Sequence, residues 1–144
     1  MKALIDEGGF MPLKAHEADA GFDLFAPDDF VVSTEAPAII DTKVHIQIPK
    51  GYVGMIMPKS GLNVKENILS FGIIDAEYEN SIVVKLYKLG GEPYQIKKGD
   101  KISQIIFMPI SDVNKLEETT PDDFYSIETE RGDNGFGSTD TRKE

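Results

Sequence analysis

The stretch from residue 44 to residue 58, VHIQIPKGYVGMIMP, contains two apolar runs separated by a turn. In the first run Val44, Ile46 and Ile48 alternate with polar residues, which is the period-two pattern of a strand with one buried face. The intervening Pro49-Lys50-Gly51 combines a proline and a glycine, and both residue types favour a turn. The stretch therefore predicts two short strands joined by a turn.

Short apolar runs of the same kind recur between Phe22 and Ile110, and many of their residues are β-branched. Turn residues separate them at Gly90-Gly91 and at Lys98-Gly99-Asp100. Many short strands with such turns are typical of a β-sandwich or barrel. We therefore predict an all-β fold, in which only residues 111–117 favour a turn or two of helix. The further strand candidates are ILSFGIID, SIVVKLY, YQIKKGD and KISQIIFMPI.

The composition indicates a single folded domain. The chain has 144 residues, 40% of them hydrophobic, which is enough for a core, and it has no cysteine. This excludes a disulfide scaffold and a catalytic thiol, and the presence of only two histidines excludes a three-histidine metal site. We expect the β-domain to span residues 1–117 and a polar C-terminal arm to span residues 118–144.

The charge and the N-terminus restrict the partners. A formal net charge of −10 disfavours binding to nucleic acid or to anionic membranes, because such binding depends on clustered Lys and Arg. Acidic residues interrupt the N-terminus where a signal peptide is apolar, and no window approaches the roughly 18 apolar residues of a membrane span. We therefore expect a soluble, cytoplasmic protein with neither nucleic acid nor membrane as a partner.

The segment Gly72-Ile73-Ile74-Asp75-Ala76-Glu77-Tyr78 places a carboxylate directly after an apolar run. A carboxylate held rigidly at the edge of a cleft can orient and deprotonate a water molecule, which makes Asp75 a candidate general base. Tyr78 could pack its ring against a sugar. The alternative is structural, since an Asp at a strand end often forms a turn and a Tyr often lies in the core.

Two further segments carry groups suited to phosphate. Pro58-Lys59-Ser60-Gly61-Leu62 combines a cation, a hydroxyl and a flexible glycine, and such a turn can present backbone N–H groups to an anion. Many surface turns have the same composition. Gln104 lies one position out of phase with the apolar residues around it, so that its amide could face a polar ligand.

The C-terminal arm contains the glycine-rich run from Arg131 to Thr139, RGDNGFGST. Its polar composition is that of a mobile tail, because it has too little apolar surface to offset its ordering entropy. However, glycines let a chain wrap closely around a triphosphate, Arg131 can add a charge-assisted contact, and Phe136 offers a stacking face. The run therefore also fits a segment that closes over a nucleotide.

Taken in order along the chain, five segments resemble the five motifs of the trimeric dUTP pyrophosphatase family. The resemblance covers nearly the whole chain, from residue 20 to residue 139. The segments are Ala20 to Leu24, Pro58 to Leu62, Gly72 to Tyr78, Gly99 to Gln104 and Arg131 to Thr139.

The resemblance implies a jelly-roll subunit and a homotrimer, with active sites at the interfaces and the C-terminal tail exchanged between subunits. It implies hydrolysis of dUTP to dUMP and pyrophosphate with Mg²⁺, by attack of a water that Asp75 activates on the α-phosphorus. Catalysis would also involve Gln104 and Asp23, and Asp23 would contact the metal, directly or through water. The implied substrate-binding residues are Lys59, Ser60, Gly61, Gly72, Ile74, Tyr78, Arg131, Phe136, Gly137 and Ser138, with uracil held by the backbone of a hairpin around residues 69–78.

Phosphoryl transfer requires positioning and charge neutralisation more than an unusual nucleophile. Mg²⁺ prefers oxygen ligands and keeps several waters, so the lack of cysteine and the scarcity of histidine are compatible with this chemistry. Three residues depart from the family pattern: Lys59 replaces a usual Arg and cannot form a bidentate planar fork, and Asn80 and Asn134 replace usual glycines.

Two alternatives belong to other functional classes. A dCTP deaminase shares the fold and the trimer, but the chain lacks a Ser-Ala-Arg element after the second motif and a dedicated catalytic Glu. A non-catalytic jelly-roll protein with a capsid-like or regulatory role would keep the fold alone. The joint presence of Asp75, Tyr78, Gln104 and the full tail argues against it.

Overall fold

The structure, a computed structural model, describes residues 1–111, 113, 115–129 and 132. It divides into two units, Met1–Asp112 and Val113–Glu144. The first unit contains the strands β1 (Ala3–Ile5), β2 (Phe22–Phe25), β3 (Phe30–Val32), β4 (Ala38–Asp41), β5 (Val44–Ile46), β6 (Tyr52–Pro58), β7 (Ile68–Ser70), β8 (Gly72–Ile74), β9 (Val83–Lys88), β10 (Tyr94–Ile96) and β11 (Lys101–Pro109), and the helix α1 (Ser60–Glu66).

The strands form antiparallel sheets, so the predicted all-β fold is confirmed. The largest sheet has four strands in the order β2-β11-β6-β8, and a three-stranded sheet has the order β4-β9-β7. Two-stranded pairs form between β1 and β5 and between β10 and β3. Gly51, Gly91 and Gly99 take positive φ values of 81°, 82° and 87°, which explains why glycine stands at each of the three predicted turns.

The core is aliphatic and lies between the sheets. The alternation predicted for residues 44–48 is confirmed, because Val44, Ile46 and Ile48 are buried while Gln47 is exposed. Fully burying one such side chain stabilises the fold by about 1.5 to 3 kcal/mol. The largest fully buried side chains are Leu24, Ile40, Ile56, Ile68, Ile82, Leu86, Ile96, Ile102, Ile105, Val32, Val44 and Val84.

The strand pairing of residues 68–74 contradicts the predicted hairpin around residues 69–78. Strand β7 pairs with β9, whereas β8 pairs with β6, so the chain leaves one sheet and enters another at Phe71. Two buried hydroxyls fix this crossing: Ser103 Oγ donates to the carbonyl of Met57 at 2.7 Å, and Ser70 Oγ therefore donates to Ser103 Oγ at 2.8 Å. The segment is a strand that switches sheets, because its two halves find different partners.

Helix α1 was not predicted, because its short sequence carries little apolar periodicity. In agreement with this, none of its residues is fully buried. It ends at Asn67, which takes a left-handed φ of 54°. Lys88 from β9 donates to the carbonyl of Glu66 at 2.7 Å, so a cation caps the helix C-terminus. These contacts from the body of the fold hold the helix in place.

The helical turn predicted at residues 111–117 is wrong for the described residues of that range, which are not helical. In the second unit the helix α2 (Pro121–Phe124) begins instead after Thr120, whose hydroxyl accepts from the N–H of Asp123 at 3.3 Å. No helix among the described residues is long and apolar enough to cross a membrane.

Candidate active site

Asp75 follows β8, which is the end strand of the four-stranded sheet. One side of β8 pairs with β6, where Gly54 faces Ile74 and Ile56 faces Gly72. On its other side β8 pairs with no strand from the described part of the chain, and an edge strand presents backbone N–H and C=O groups to a ligand. Gly72 and Ile74 are half-buried and Asp75 is exposed. A carboxylate therefore stands at the end of an open backbone edge.

Residues 75–81, which we call the Asp75 turn, reverse the chain after β8. The N–H of Tyr78 donates to the carbonyl of Asp75 at 3.4 Å, and the N–H of Glu77 donates to the carbonyl of Ile48 at 3.2 Å. Glu77 takes a left-handed φ of 65°, a conformation that is unfavourable for a residue with a side chain. The hydroxyl of Tyr78 donates to the carbonyl of Ser81 at 3.3 Å, and the residue is 39% exposed.

Polar side chains from the strands behind it anchor the end of this turn. Asp41 accepts from the hydroxyl of Ser81 at 2.7 Å and from the ammonium of Lys43 at 2.9 Å. Hydrogen bonds from Lys43 and Ser81 to the charged form lower the pKa of Asp41 to about 2. The buried hydroxyl of Thr42 donates to the carbonyl of Ile82 at 2.7 Å. The Asp75 turn is thus held by its C-terminal end as well as by β8.

The second group of predicted residues, Asp23, Lys59 and Gln104, lies on β2, directly after β6 and on β11. Together with Lys101, which was not predicted, we call them the Asp23 cluster. Asp23 is 4% exposed on β2. One of its carboxylate oxygens accepts from the ammonium of Lys59, and the other accepts from that of Lys101 at 2.8 Å. Burial raises the pKa of Asp23, but the two lysines outweigh it and bring the pKa below its ordinary value.

Gln104 faces Asp23 across the β2–β11 pairing and donates from its amide to the carbonyl of Pro58 at 3.1 Å. A Cβ added at Gly21 would lie 2.7 Å from Oε1 and 3.2 Å from Cβ of Gln104, so a side chain at position 21 would force Gln104 to shift. Three of the predicted motifs therefore meet here: the first through Gly21 and Asp23, the second through Pro58 and Lys59, and the fourth through Gln104.

The second motif also starts helix α1. Lys59 is the N-cap residue, and the first helical bond runs from the N–H of Asn63 to the carbonyl of Lys59 at 2.9 Å. The N–H groups of Ser60 and Gly61 therefore have no partner within the helix, and the first turn contains no acidic side chain. Both residues are exposed. This arrangement can donate hydrogen bonds to an anion.

Among the described residues, no hydrogen bond or ion pair connects the Asp75 turn with the Asp23 cluster. The structure brings together Asp23, Lys59 and Gln104 on one side and Gly72, Ile74, Asp75 and Tyr78 on the other. The tail residues Arg131, Phe136, Gly137 and Ser138, and the variant position Asn134, lie outside the described residues.

A magnesium ion fits this site if the substrate brings most of its ligands. The described residues contain no group of three or more His, Asp or Glu side chains that could hold a metal. Both oxygens of Asp23 already accept from lysines, so a water-mediated contact suits this carboxylate better than direct ligation. Mg²⁺ commonly takes phosphate oxygens and waters as its ligands.

Lys101 and the anchors of the Asp75 turn were missed by sequence reasoning. Lys101 reaches Asp23 because β11 pairs with β2 and carries an irregularity between Lys101 and Ser103. Asp41 and Ser81 are 40 positions apart in the chain. Only the pairing of β11 with β2 and the packing of the 81–82 segment against β4 and β5 produce these contacts, and no local pattern signals them.

Comparisons with known proteins agree on one family. A sequence model described as dUTPase matches residues 8–140. The deoxyuridine 5'-triphosphate nucleotidohydrolase of Mus musculus is 39% identical over 136 residues, covering 94% of this chain and 81% of the relative. The enzyme of the same name from Clostridium novyi is 37% identical over 145 residues, covering 96% of this chain and 99% of the relative.

Solved structures show the same fold. The dUTPase of Staphylococcus bacteriophage 80alpha, solved with dUpNHpp, superposes with a TM-score of 0.82 at 29% identity and covers 96% of both chains. A mutant dUTPase of phage phi11 of S. aureus, solved to describe the coordination of a structural Mg(II) ion, gives a TM-score of 0.75 at 26% identity. The superposition covers 84% of this chain and 97% of the phage phi11 chain.

Proposed function

The chain belongs to the dUTPase family, and we propose that it hydrolyses dUTP to dUMP and pyrophosphate. The family match extends from residue 8 to residue 140, and the relatives that carry this name are matched over most of their length. The observation that carries the proposal is the position of Asp75. It is an exposed carboxylate at the end of a strand that, among the described residues, pairs with a neighbour on one side only.

In this proposal Asp75 orients a water molecule and accepts its proton as the water attacks the α-phosphorus. The bond between the α-phosphorus and the oxygen that bridges it to the β-phosphate breaks, and that oxygen leaves with pyrophosphate. A carboxylate suits this role when it is fixed in place, because general base catalysis depends first on geometry. The paired strand β8 on one side and the contacts of Asp41 and Thr42 on the other support such a fixed position.

The open edge of β8 would select the base. Uracil has one N–H between two carbonyls, and the backbone groups of Gly72 and Ile74 can offer complementary acceptors and donors. Tyr78 would lie under the deoxyribose, where its ring leaves no space for a 2′-hydroxyl. Its bond to the carbonyl of Ser81 supports a fixed ring orientation.

The Asp23 cluster would receive the phosphates. Lys59 supplies a positive charge, Ser60 and Gly61 supply N–H groups at the start of α1, and Gln104 supplies an amide. Mg²⁺ bound to the triphosphate would neutralise its charge. Asp23 would meet that ion through water and would keep the two lysines oriented.

We further infer that the active unit is a homotrimer. The Asp75 turn and the Asp23 cluster share no hydrogen bond or ion pair among the described residues. A site that uses both would be completed if different subunits contributed them. Phe71 and Ile73, on either side of Gly72, are 66% and 50% exposed, which is typical of surface that a partner covers. The tail residues Arg131, Phe136, Gly137 and Ser138 would come from a neighbouring subunit. The cytoplasmic location stays a prediction.

The decisive test is incubation of the purified protein and Mg²⁺ with dUTP, dCTP, dTTP and UTP, read for both pyrophosphate and ammonia. We expect pyrophosphate from dUTP alone. Ammonia from dCTP would establish a deaminase instead, and no turnover of any nucleotide would favour a non-catalytic protein.

A truncation that ends before Arg131 tests the tail. We expect turnover to be abolished while light scattering still shows a trimer, because the predicted trimer contacts lie in the first unit. If the truncated protein keeps full activity, the assignment of the tail residues is wrong.

A further inference from the structure

His45 lies on β5, next to the Asp75 turn, and its ring makes two hydrogen bonds. Nδ1 lies 2.7 Å from the backbone carbonyl of Glu79, and Nε2 lies 3.0 Å from Oδ2 of Asp6. The imidazole therefore bridges the segment after β1 and the turn that carries Asp75 and Tyr78.

Both partners of the ring are acceptors at neutral pH. A backbone carbonyl has no hydrogen to donate, and an ionised carboxylate accepts only. A neutral imidazole carries one N–H and can donate to one of the two, whereas an imidazolium carries two N–H groups and donates to both. The geometry therefore fits the charged ring, which is the form that bridges the two segments.

The surrounding charges favour the same form. The backbone contact with Glu79 and the ion pair with Asp6 raise the pKa of His45 above its ordinary value. The ammonium of Lys43 is paired with Asp41, which leaves carboxylates in excess around the ring. The charged or titratable groups around it are Asp6 and Asp41, which act on the ring through their charge, and Lys2, Glu77, Tyr78 and Glu79, which line the same cavity as the ring.

The contact with Glu79 matters because few other attachments hold the middle of the Asp75 turn among the described residues. The N–H of Glu77 donates to the carbonyl of Ile48 at 3.2 Å, and the exposed carboxylate of Glu77 lies 3.4 Å from the ammonium of Lys50. The next attachments are those of Ser81 and Ile82. The hydrogen bond between His45 and the carbonyl of Glu79 is shorter than the one that Glu77 makes with Ile48, and Glu79 is the residue directly after Tyr78. Its loss would free the segment that holds the tyrosine ring.

We propose that His45 is a positioning residue that holds Tyr78 and the Asp75 turn in place as an imidazolium bridging Asp6 and Glu79. The kinetic part of this inference rests on the proposed function, whereas the charge state of the ring does not. Because the folded protein favours the charged ring, the bridge is complete at lower pH and is lost as the pH rises through the pKa of His45 in the folded protein.

The charge state is tested by NMR titration of His45, whose imidazole signals are assigned with His45→Gln. The reference is a blocked histidine peptide measured under the same conditions. We expect His45 to titrate above the peptide, and Asp6→Asn to move its titration to lower pH, with Glu7→Gln as the matched charge control. A His45 titration at or below that of the peptide, or one that Asp6→Asn leaves unchanged, overturns the proposal.

The positioning role is tested on the same samples through the amide signals of residues 77–81. We expect these signals to shift with the titration of His45 in the native chain and to show no such step in His45→Gln. A step that persists in His45→Gln contradicts the bridge. This readout needs no turnover, so it decides the role of His45 even if the proposed hydrolysis fails.

The kinetic consequence should appear in substrate recognition. We expect His45→Gln to raise the KM for dUTP roughly fivefold, the effect of about one hydrogen bond, to weaken discrimination against UTP, and to leave kcat within about twofold. The rise of KM with pH should disappear in His45→Gln and persist in the His16→Gln control. An unchanged KM profile in His45→Gln, in protein that hydrolyses dUTP and has a native thermal midpoint, would refute the positioning role.

Discussion

The Asp75 turn and the Asp23 cluster differ in how their polar groups are satisfied. Both oxygens of Asp23 accept from lysines, and the amide of Gln104 donates to Pro58, so these groups already have partners within the chain. Asp75 is exposed, and its hydrogen bond with the N–H of Tyr78 uses the backbone carbonyl and not the carboxylate. The cluster must exchange partners when phosphates arrive, whereas the carboxylate of Asp75 is available at once.

This difference explains which effects are expected on each side. A change in the turn should affect the chemical step or the selection of base and sugar. A change in the cluster should affect the stability of the fold and the binding of phosphate, because the same lysines serve Asp23 and the ligand. Kinetic measurements on turn variants and stability measurements on cluster variants separate these two kinds of effect.

The largest effect is expected for Asp75→Asn, which keeps the shape of the side chain and removes the base. We expect kcat to fall by about 10³-fold, within the usual range for a lost general base, while the affinity for a non-hydrolysable dUTP analogue changes little. Steady-state kinetics and calorimetric titration measure the two quantities. Asp28→Asn, at an exposed position, is the control, and a parallel loss of affinity in Asp75→Asn would show that Asp75 is a binding group.

The next largest effect is expected for Asp23→Asn, which removes the shared partner of Lys59 and Lys101. We expect the free energy of unfolding to fall by about 2 kcal/mol, less than for a fully buried pair because both lysines can turn toward solvent. Urea unfolding measures it. The matched control is Asp29→Asn, whose ion pair with Lys97 is exposed on both sides and should contribute little; equal losses in the two variants would contradict the importance of burial.

A smaller effect is expected when Lys59→Arg restores the residue that the family usually carries. A guanidinium can hold Asp23 and a phosphate at the same time through separate N–H groups. We expect the KM for dUTP to fall by about threefold with kcat unchanged, measured by initial rates. Lys65→Arg in the same helix should change neither parameter, and an increase of KM in Lys59→Arg would mean that the site is adapted to lysine.

The smallest effect concerns the pH dependence of the anchor at Asp41. The pKa of Asp41 is lowered from 3.8 to about 2, so its stabilising contribution is present above pH 4 and is lost as the pH falls toward 2. Because 42% of this side chain is exposed, we expect no more than about 1 kcal/mol. Unfolding of the native chain and of Asp41→Asn at pH 5, 4 and 3 should show a difference that shrinks with acidification; a constant difference would contradict this assignment.

The strands could be predicted from the sequence because their signals are local. The alternation at residues 44–48 and the glycines at positions 51, 91 and 99 depend only on nearby side chains and on backbone sterics. Strand β1 was missed since two of its three residues are exposed, and helix α1 was missed since it buries no face completely. Short elements of this kind are set by their packing environment and carry no strong pattern of their own.

The candidate site was predicted by residue type and order but not by contact. Asp75, Tyr78, Lys59 and Gln104 were found because their motifs are continuous in the chain. The lysine pair on Asp23 and the bridge from His45 to Glu79 were not found, because each depends on segments that are far apart in sequence. The supposed hairpin at residues 69–78 was wrong for the same reason.

The sequence by itself determined the fold class and the family, and it predicted the residues that would carry the chemistry, because periodicity and motif order are properties of the chain alone. Only the tertiary structure decided that β7 and β8 belong to different sheets, that β8 pairs on one side only among the described residues, and that Asp23 is neutralised by two lysines. The physical reason is that a hydrogen bond or an ion pair requires two groups within about 3 Å. For groups many residues apart, strand pairing and packing set that distance.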